Sequence, residues 1–432
     1  MARFSRLSDW LRWQETAHWP RVDPSLIRAS AVLQRMVLST PPFPIVTIAG
    51  TNGKGSTVAL LEAILLAAGY RVGSYTSPHL LRYNERIKIQ GEAVSDDIIC
   101  QSFARIDAAR HEISLTYFEF GTLAAIDIFH QAGLDIALLE VGLGGRLDAV
   151  NALDADVAVI TTVDIDHINF LGPDRESIGF EKAGIFRSHR PAICGDPEPP
   201  ESVLAHAKES SVPLYRIGRD FHYQMAGEGW SWWSNGSHYA DLPHPALQGA
   251  CQYQNGAAAL MALKLMAARL PVSETAIRDG LSAVRLPGRF QCLPGEMERI
   301  FDVAHNLQGA RWLARSLTDR PCGGRTYAVL GMLADKDVAG VVSVLENAIH
   351  GWFVGGLAVD RGLSGQALAE RMGHLTPAIY QSVAEAYRAA LEAAQPGDRV
   401  LAFGSFHTVE AVMRLEGLTC SSGAERCSLA SV

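Results

Sequence analysis

Charge is scarce in this chain. Asp, Glu, Lys and Arg make up 19% of its 432 residues, and 46 acidic against 38 basic side chains leave a net charge of −8. A nucleic-acid-binding surface needs a basic excess that is missing here. Disorder needs a charge-rich, apolar-poor composition, whereas 48% of these residues are hydrophobic. Long apolar runs are also lacking: Glu62, Asp127 and Asp135 interrupt the most hydrophobic stretches well short of the roughly 20 residues a bilayer span requires. The opening MARFSRLSDW has no long apolar h-region, which argues against a cleaved signal peptide. Cysteine is sparse and scattered. Cys100, Cys194, Cys251, Cys292, Cys322, Cys420 and Cys427 are odd in number and contain no C-x-x-C pair, a usage that fits reduced thiols in a cytoplasm. No repeat of fixed period is present. The expectation is a cytoplasmic enzyme-sized protein without membrane or nucleic-acid partners, of two to three domains at roughly 150 residues each.

Short apolar runs alternate with helical periods from Phe43 onward. Phe43–Ala49 is a β-branched run of strand length, followed by glycines and then by Val58, Leu61, Leu65 and Ala68 on one helical face. Gly69 is placed to end that helix, and Arg71–Tyr75 reads as the next strand. Helix Phe118–Gln131, strand Leu134–Glu140 and strand Asp156–Thr162 continue the rhythm, which predicts a doubly wound parallel sheet. Between Asp220 and Pro245 a tract rich in Trp, Ser and Asn predicts a small antiparallel hairpin insert. Helices are expected at Asn255–Ala268 and Ser273–Val284. Leu286–Phe290 and Pro294-Gly295 read as a linker. A second series follows, with strands at Arg299–Val303, Arg325–Gly331, Trp352–Gly355 and Arg399–Gly404, and helices near 307–318, 336–349, 364–373 and 382–394. The expected division is therefore a domain over 1–285, a linker over 286–297, a second domain over 298–415 and a polar tail, expected to fray, over 416–432.

Chemistry concentrates at the ends of these strands. Thr51-Asn52-Gly53-Lys54-Gly55-Ser56 follows the first strand and opens a helix. Glycines let backbone N–H groups curl around an anion at a helix N-terminus, Lys54 can reach β/γ-phosphates and the Ser56 hydroxyl can face Mg²⁺. The string departs from the standard phosphate-loop spacing, because Ile48 holds the first-glycine place and Gly55 separates Lys54 from Ser56. Glu140 ends one strand, and Asp164, Asp166 and His167 follow another, where ligands collect in open α/β sheets. Alone, each acid reads as a solvated strand-end residue; beside a phosphate loop they read as a Mg²⁺ site completed by phosphate oxygens. Glu181-Lys182, read alone, is a surface helix pair. Asp302 can accept from ribose hydroxyls, Asn306 can serve as an N-cap, and Arg289 reads either as a phosphate contact or as a solvated hinge residue.

Nine strings in order resemble the folylpolyglutamate synthase/dihydrofolate synthase family, which is related to the Mur peptide ligases. They are TIAGTNGKGS, SYTSPHLLRYNERIKIQGE, LTYFEFGT, LLEVGLGGRLDAVN, DHINFLGPDRESIGFEKAGIFR, LPGRF, FDVAHN, GMLADKDV and FGSFHTVEAVM, spread over residues 43–415. The resemblance implies an α/β protein of two domains. The first is a P-loop-type, doubly wound, mostly parallel sheet with a small antiparallel insert; the second is a smaller Rossmann-like domain. It implies that Thr51, Asn52, Gly53, Lys54, Gly55 and Ser56, with Asn255, Arg289 and Asp302, bind ATP. It implies that Ser77, Glu140 and His167 hold two Mg²⁺ ions, and that Lys182 carries a carbamate derived from CO₂. On the same ground Lys54, His167 and Lys182 are the catalytic residues. Thr116, Tyr117, Phe118 and Glu119, with Leu147, Asp148 and Ala149, would line a pterin pocket.

Two places depart from the family pattern. Its N-terminal I-D-L-G-L-E-R stretch is here Val22-Asp23-Pro24-Ser25-Leu26-Ile27-Arg28, and its A-H-N-P-H is here Ala304-His305-Asn306-Leu307-Gln308. Pro24 lacks an N–H and fixes φ, so that loop loses a backbone contact. The implied activity is a monomeric, ADP-forming ligase. It would join L-glutamate to dihydropteroate and extend reduced folates with further glutamates, through an acyl phosphate. The alternative suggested by Pro24-Ser25 is a ligase with only one of these activities. A non-enzymatic nucleotide switch would have no use for Glu140, His167 and Lys182 beside the loop.

Overall fold

The computed structural model describes residues 2–227 and 229–418. Its first unit is built on eight strands: β1 (Ile45–Ala49), β2 (Val72–Tyr75), β3 (Ile87–Ile89), β4 (Glu92–Ala93), β5 (Ile136–Glu140), β6 (Val157–Ile160), β7 (Ala192–Cys194) and β8 (Leu214–Arg216). They form one sheet in the order β4-β3-β2-β5-β1-β6-β7-β8. β2, β5, β1, β6, β7 and β8 run parallel, and β3 and β4 are antiparallel additions at one edge. All five residues of β1 and of β5 are buried, as expected of central strands covered on both faces.

The helices follow from local chemistry. Lys54–Ala67 starts from Gly53 in the left-handed conformation (φ 85°) and stops before Gly69 (φ 85°). Tyr117–Ala132 opens with a capping box in which the Thr116 hydroxyl accepts from Glu119 N–H and the Glu119 carboxylate accepts from Thr116 N–H. Ser273 caps Glu274–Ala283. Two cores result. One carries Trp10, Phe103 and Phe120 on one face of the sheet, and the other carries Leu60, Leu260 and Leu281 on the opposite face.

The Trp-rich insert is a three-stranded antiparallel meander, β9 (Phe221–Ala226), β10 (Gly229–Ser234) and β11 (Ser237–Pro243). Trp230 and Trp232 of β10 point into the second core, and their indole N–H groups donate to Pro243 and Ala257 carbonyls.

The second unit has β12 (Gln291–Leu293), β13 (Glu298–Phe301), β14 (Thr326–Leu330), β15 (Gly351–Gly355), β16 (Ala378–Tyr380) and β17 (Arg399–Phe403), ordered β12-β13-β17-β14-β15-β16 and parallel except for β12. Three expectations are corrected here. Gln291–Leu293, expected within the linker, pairs with β13 as an edge strand. The helix near 364–373 is confined to Gly365–Ala369, capped by Ser364. Glu416, expected to open the frayed tail, is anchored: it accepts from Arg299 at 2.6 Å and from the Tyr387 hydroxyl. The rest of the expected tail, from residue 419, lies outside the described residues.

The units interlock. Leu80 and Leu81, from the loop after β2, are buried in the second unit's core with Val303, Val409 and Val412. Among the described residues, no helix is long and apolar enough to cross a membrane.

Candidate active site

The carboxyl ends of β1, β5 and β6 face those of β13, β14 and β17 across a cavity of about 540 Å³. Both units line it. Thr51–Ser56, Ser77, Glu140, His167, Lys182 and Asn255 come from the first, Arg289 from the connection, and Asp302, His305, Lys336 and Ser405 from the second.

The loop 50–56 is tied to the segment that follows β6. Thr51 N–H donates to the Thr162 carbonyl (2.8 Å), Asn52 N–H to the Thr162 hydroxyl (3.2 Å), and the Thr51 hydroxyl to the Asp164 carbonyl (3.0 Å). Gly53 is required twice over: its φ is left-handed, and a Cβ there would collide with the Asn255 carboxamide. Asn255 in turn donates to Gln252 (3.0 Å). Lys54 Nζ donates to the Gly50 and Thr51 carbonyls at 2.9 and 3.2 Å, so the ammonium sits over the loop. Burial pulls its pKa down, against the opposing pull of Glu140 and Asp166.

Glu140, at the end of β5, accepts from Ser77 N–H at 3.1 Å. Burial raises its carboxyl, opposed by Lys54, by that N–H and by Arg289. A Cβ on Gly55 would lie 3.5 Å from Glu140 and 3.8 Å from the Arg289 guanidinium, so loop, acid and arginine converge on one point. Arg289 rests over the Phe406 ring, 5.1 Å from its centroid. Asp302 is reached from the second unit, but Phe290 and Ala304 N–H groups already occupy its two oxygens, at 2.8 and 2.7 Å. Asn306 is the N-cap of helix Leu307–Asp319, as expected.

His167 has positive φ (53°) and borders the cavity with 40% of its side chain exposed. Desolvation in the cleft, together with the nearby Lys336, His305 and Lys54, lowers its imidazole to about 4, so it is a neutral nitrogen donor at pH 7. Lys182 corrects the residue-only reading of a surface pair: it is 3% exposed and lines the cavity. Burial, with Lys54 nearby, lowers its amine to about 7. Only Glu181 faces outward, pairing with Arg146 at 2.8 Å. Among the described residues no three His, Cys, Asp or Glu side chains form a closed metal cluster. The donors that are present, a carboxylate, hydroxyls and a neutral imidazole, fit a hard divalent cation that shares its shell with phosphate oxygens.

The expected pterin residues fall beside this cavity rather than in its lining. The Phe118 ring packs on Gly142, which borders it. The Asp148 carboxylate accepts from Gly142, Leu143 and Val150 N–H groups and shapes that loop; Leu147 and Ala149 flank it. Arg28 joins the departing N-terminal segment to this region. It donates to Asp23 at 2.6 Å and to Glu119 at 3.0 and 3.2 Å. Glu119, whose carboxylate also accepts from Thr116 N–H, is thus joined to Asp23 through Arg28.

Sequence reasoning missed Lys336, His305 as an ion partner, and Arg86, whose guanidinium lies over the Tyr83 ring and donates to His79 at 2.8 Å. The available signal was their place in GMLADKDV, FDVAHN and SPHLLRYNER, each following a strand.

Residues 48–261 match the Mur ligase middle domain, and residues 288–406 match the Mur ligase glutamate ligase domain. The chain is 46% identical over 420 residues to the dihydrofolate synthase/folylpolyglutamate synthase of Escherichia coli (strain K12), covering 97% of each. It is similar to E. coli FolC in complex with DHPP and ADP (TM-score 0.92, 46% identity, 96% of this chain and 98% of that one). It is also similar to a bifunctional folylpolyglutamate synthase/dihydrofolate synthase with Mn, AMPPNP and L-glutamate bound (TM-score 0.90, 45% identity, 96% and 98%).

Proposed function

Because the chain belongs to the dihydrofolate synthase/folylpolyglutamate synthase family, we propose that it is an ATP-dependent ligase that joins L-glutamate to dihydropteroate and adds further glutamates to reduced folates. The observation that carries this reading is the convergence in one cavity of the loop 51–56, Glu140, His167, Lys182 and Arg289, with second-unit residues on the facing wall.

A carboxylate is a poor electrophile and must be activated. One oxygen of the substrate carboxylate attacks the γ-phosphorus of ATP, and the bond to the leaving ADP oxygen breaks. The glutamate amine then attacks the acyl carbon. Phosphate leaves, the amine loses a proton, and an amide remains. The chain's contribution to the first step is positioning and charge neutralisation. Loop N–H groups and the N-terminus of helix Lys54–Ala67 hold phosphate oxygens, Lys54 exchanges its loop carbonyls for them, and Arg289 approaches from the connection. Ser77, Glu140 and His167 are the residues that would hold Mg²⁺, which supplies charge neutralisation and orientation of the phosphate oxygens. A Lys182 amine lowered to about 7 is largely neutral just above that pH, and it can add CO₂ to form a carbamate with release of one proton. This would turn a cation in the cavity wall into a further anionic ligand.

One chain supplies both walls, which supports a monomer as the working unit. The deciding experiment is ADP release with Mg-ATP and L-glutamate, comparing 7,8-dihydropteroate with a tetrahydrofolate monoglutamate. Turnover with both is expected. Turnover with one alone would make the enzyme monofunctional and direct attention to Pro24-Ser25, while turnover with neither would refute the reading.

A further inference from the structure

Loop 50–56 receives a contact that its own unit cannot provide. Asn52 Nδ2 donates to Gln308 Oε1 at 2.7 Å and to Asn306 Oδ1 at 3.0 Å, both on the other unit. The Thr162 hydroxyl, which accepts from Asn52 N–H, donates to the same Gln308 oxygen at 3.0 Å. Gln308 Oε1 thus collects two donors, one from the loop itself and one from the residue that supports the loop from just after β6.

Asn306 also holds Asn52, and its Nδ2 donates back to Asn52 Oδ1 at 3.1 Å, but both of its polar atoms are shared: Oδ1 accepts from Gly309 N–H at the helix cap (2.9 Å) and Nδ2 donates to Asp166 (2.9 Å). It makes no hydrogen bond with Thr162, which among the described residues only Gln308 reaches from the second unit. Without the Gln308 carbonyl, Asn52 Nδ2 shares a capping oxygen, and the nearest alternative acceptor for the Thr162 hydroxyl is the Asn52 carbonyl at 3.3 Å. Both changes fall on Asn52 and Thr162, directly beside the loop residues Gly53–Ser56 that line the cavity. The Leu307-Gln308 pair is also where this chain departs from the Pro-His of the family pattern. A carboxamide accepts hydrogen bonds at any physiological pH, whereas an imidazole accepts only when neutral.

We propose that Gln308 is a positioning residue for the nucleotide loop. From the first turn of the second unit's helix Leu307–Asp319, its side-chain carbonyl holds Asn52 and Thr162, so that the loop keeps its phosphate-binding shape only when the two units are docked. This rests on the reading of loop 50–56 as the ATP site.

The test is a pair of variants, Gln308→Leu and Gln308→His, each checked for folding by circular dichroism and melting. The probe is Mg-AMPPNP binding by calorimetry from pH 5.5 to 8.5, with ligase turnover measured alongside. Removing two hydrogen bonds predicts for Gln308→Leu a weakening of AMPPNP binding, and of kcat/KM for ATP, by about tenfold. Amides from Thr51 to Thr57 should also exchange hydrogen faster. Gln308→His should bind close to wild type at pH 8.5 and lose affinity relative to wild type as the pH falls through about 6.5. Asp166, His305 and Lys336 are common to both proteins, so the ratio of variant to wild type isolates the new imidazole. A role limited to fold stability would move the melting temperature without a pH-dependent ratio. Wild-type affinity in Gln308→Leu, or a constant His-to-wild-type ratio across pH, overturns the proposal. Absence of ligase turnover in the wild type would instead count against the functional reading, and AMPPNP binding would still decide Gln308.

Discussion

Lys336 donates to Asp166 at 2.5 Å across the boundary between the two units, and both side chains are only 7% exposed. Asp166 also accepts from Asn306 at 2.9 Å and lies 3.3 Å from His305, so one first-unit carboxylate gathers three second-unit side chains next to His167. Burial works against the charged carboxylate, but His305, His167 and Lys336 hold it far below the usual range. Lys336→Met should destabilise the protein by about 2 kcal/mol, less than a fully orphaned buried charge costs because two partners remain. The double variant Lys336→Met/Asp166→Asn should recover much of that stability in denaturant titration while turnover stays low. If turnover returned with stability, the pair would be only structural.

Glu140 is expected to be the principal carboxylate for the divalent ion. Treatment with EDTA should abolish turnover, and added Mg²⁺ or Mn²⁺ should restore it. Glu140→Gln should raise the Mg²⁺ concentration needed for half-maximal activity by at least roughly tenfold. An unchanged Mg²⁺ titration would place the ion elsewhere in the cavity.

Arg289→Ala removes a cation that meets the loop at Gly55 from the connection between units. Turnover should fall by about a hundredfold, in line with the loss of a group acting on developing phosphoryl charge. Mn²⁺ binding, followed by electron paramagnetic resonance, should be unaffected. Near-wild-type turnover would remove Arg289 from the mechanism.

The Lys182 amine, lowered to about 7 by burial and by Lys54, becomes neutral as pH rises through that value, and only the neutral amine adds CO₂. With ¹³C-bicarbonate, a carbamate resonance should therefore be present at pH 8.5 and fade by pH 6. It should be missing from Lys182→Arg, which should also be inactive. A pH-independent resonance, or one that persists in the variant, would assign the carbamate to another amine.

Arg28 ties Asp23 to Glu119, whose side chain is 4% exposed. Arg28→Met leaves the Glu119 carboxylate with the Thr116 N–H and costs about 2 kcal/mol of stability. The KM for dihydropteroate should rise while the KM for ATP holds, because the nucleotide loop lies elsewhere. Parallel rises in both would mean that the network supports the fold generally and not the pterin side.

Strand and helix identities were legible wherever a period or a cap spelled them out. Phe43–Ala49 contains β1, Phe118–Gln131 lies within helix Tyr117–Ala132, Ser273 begins its helix, and Gly69 follows the end of its helix. Edge elements were not legible: β12 has three residues, all half-buried, and no pattern distinguishes it from a linker. Helix Gly365–Ala369 is a single short turn whose capping Ser364 marks a start but not a length.

By itself the sequence determined which chemistry the chain holds: a glycine loop with Lys54, strand-end acids, and a second α/β series after Arg289. These are local facts, set by spacing along a few residues. Tertiary structure decided which of them meet. Lys182 looked like half of a surface pair until helix Arg175–Ala183 packed it into the cavity wall, where burial rather than any neighbour in sequence lowers its amine. Asn52 is 254 residues from Asn306 and 256 from Gln308, and Asp166 is 170 from Lys336. No period or motif encodes such a pairing. It arises because two sheets present their carboxyl ends to one cavity, where a buried donor or charge must find its partner across the gap.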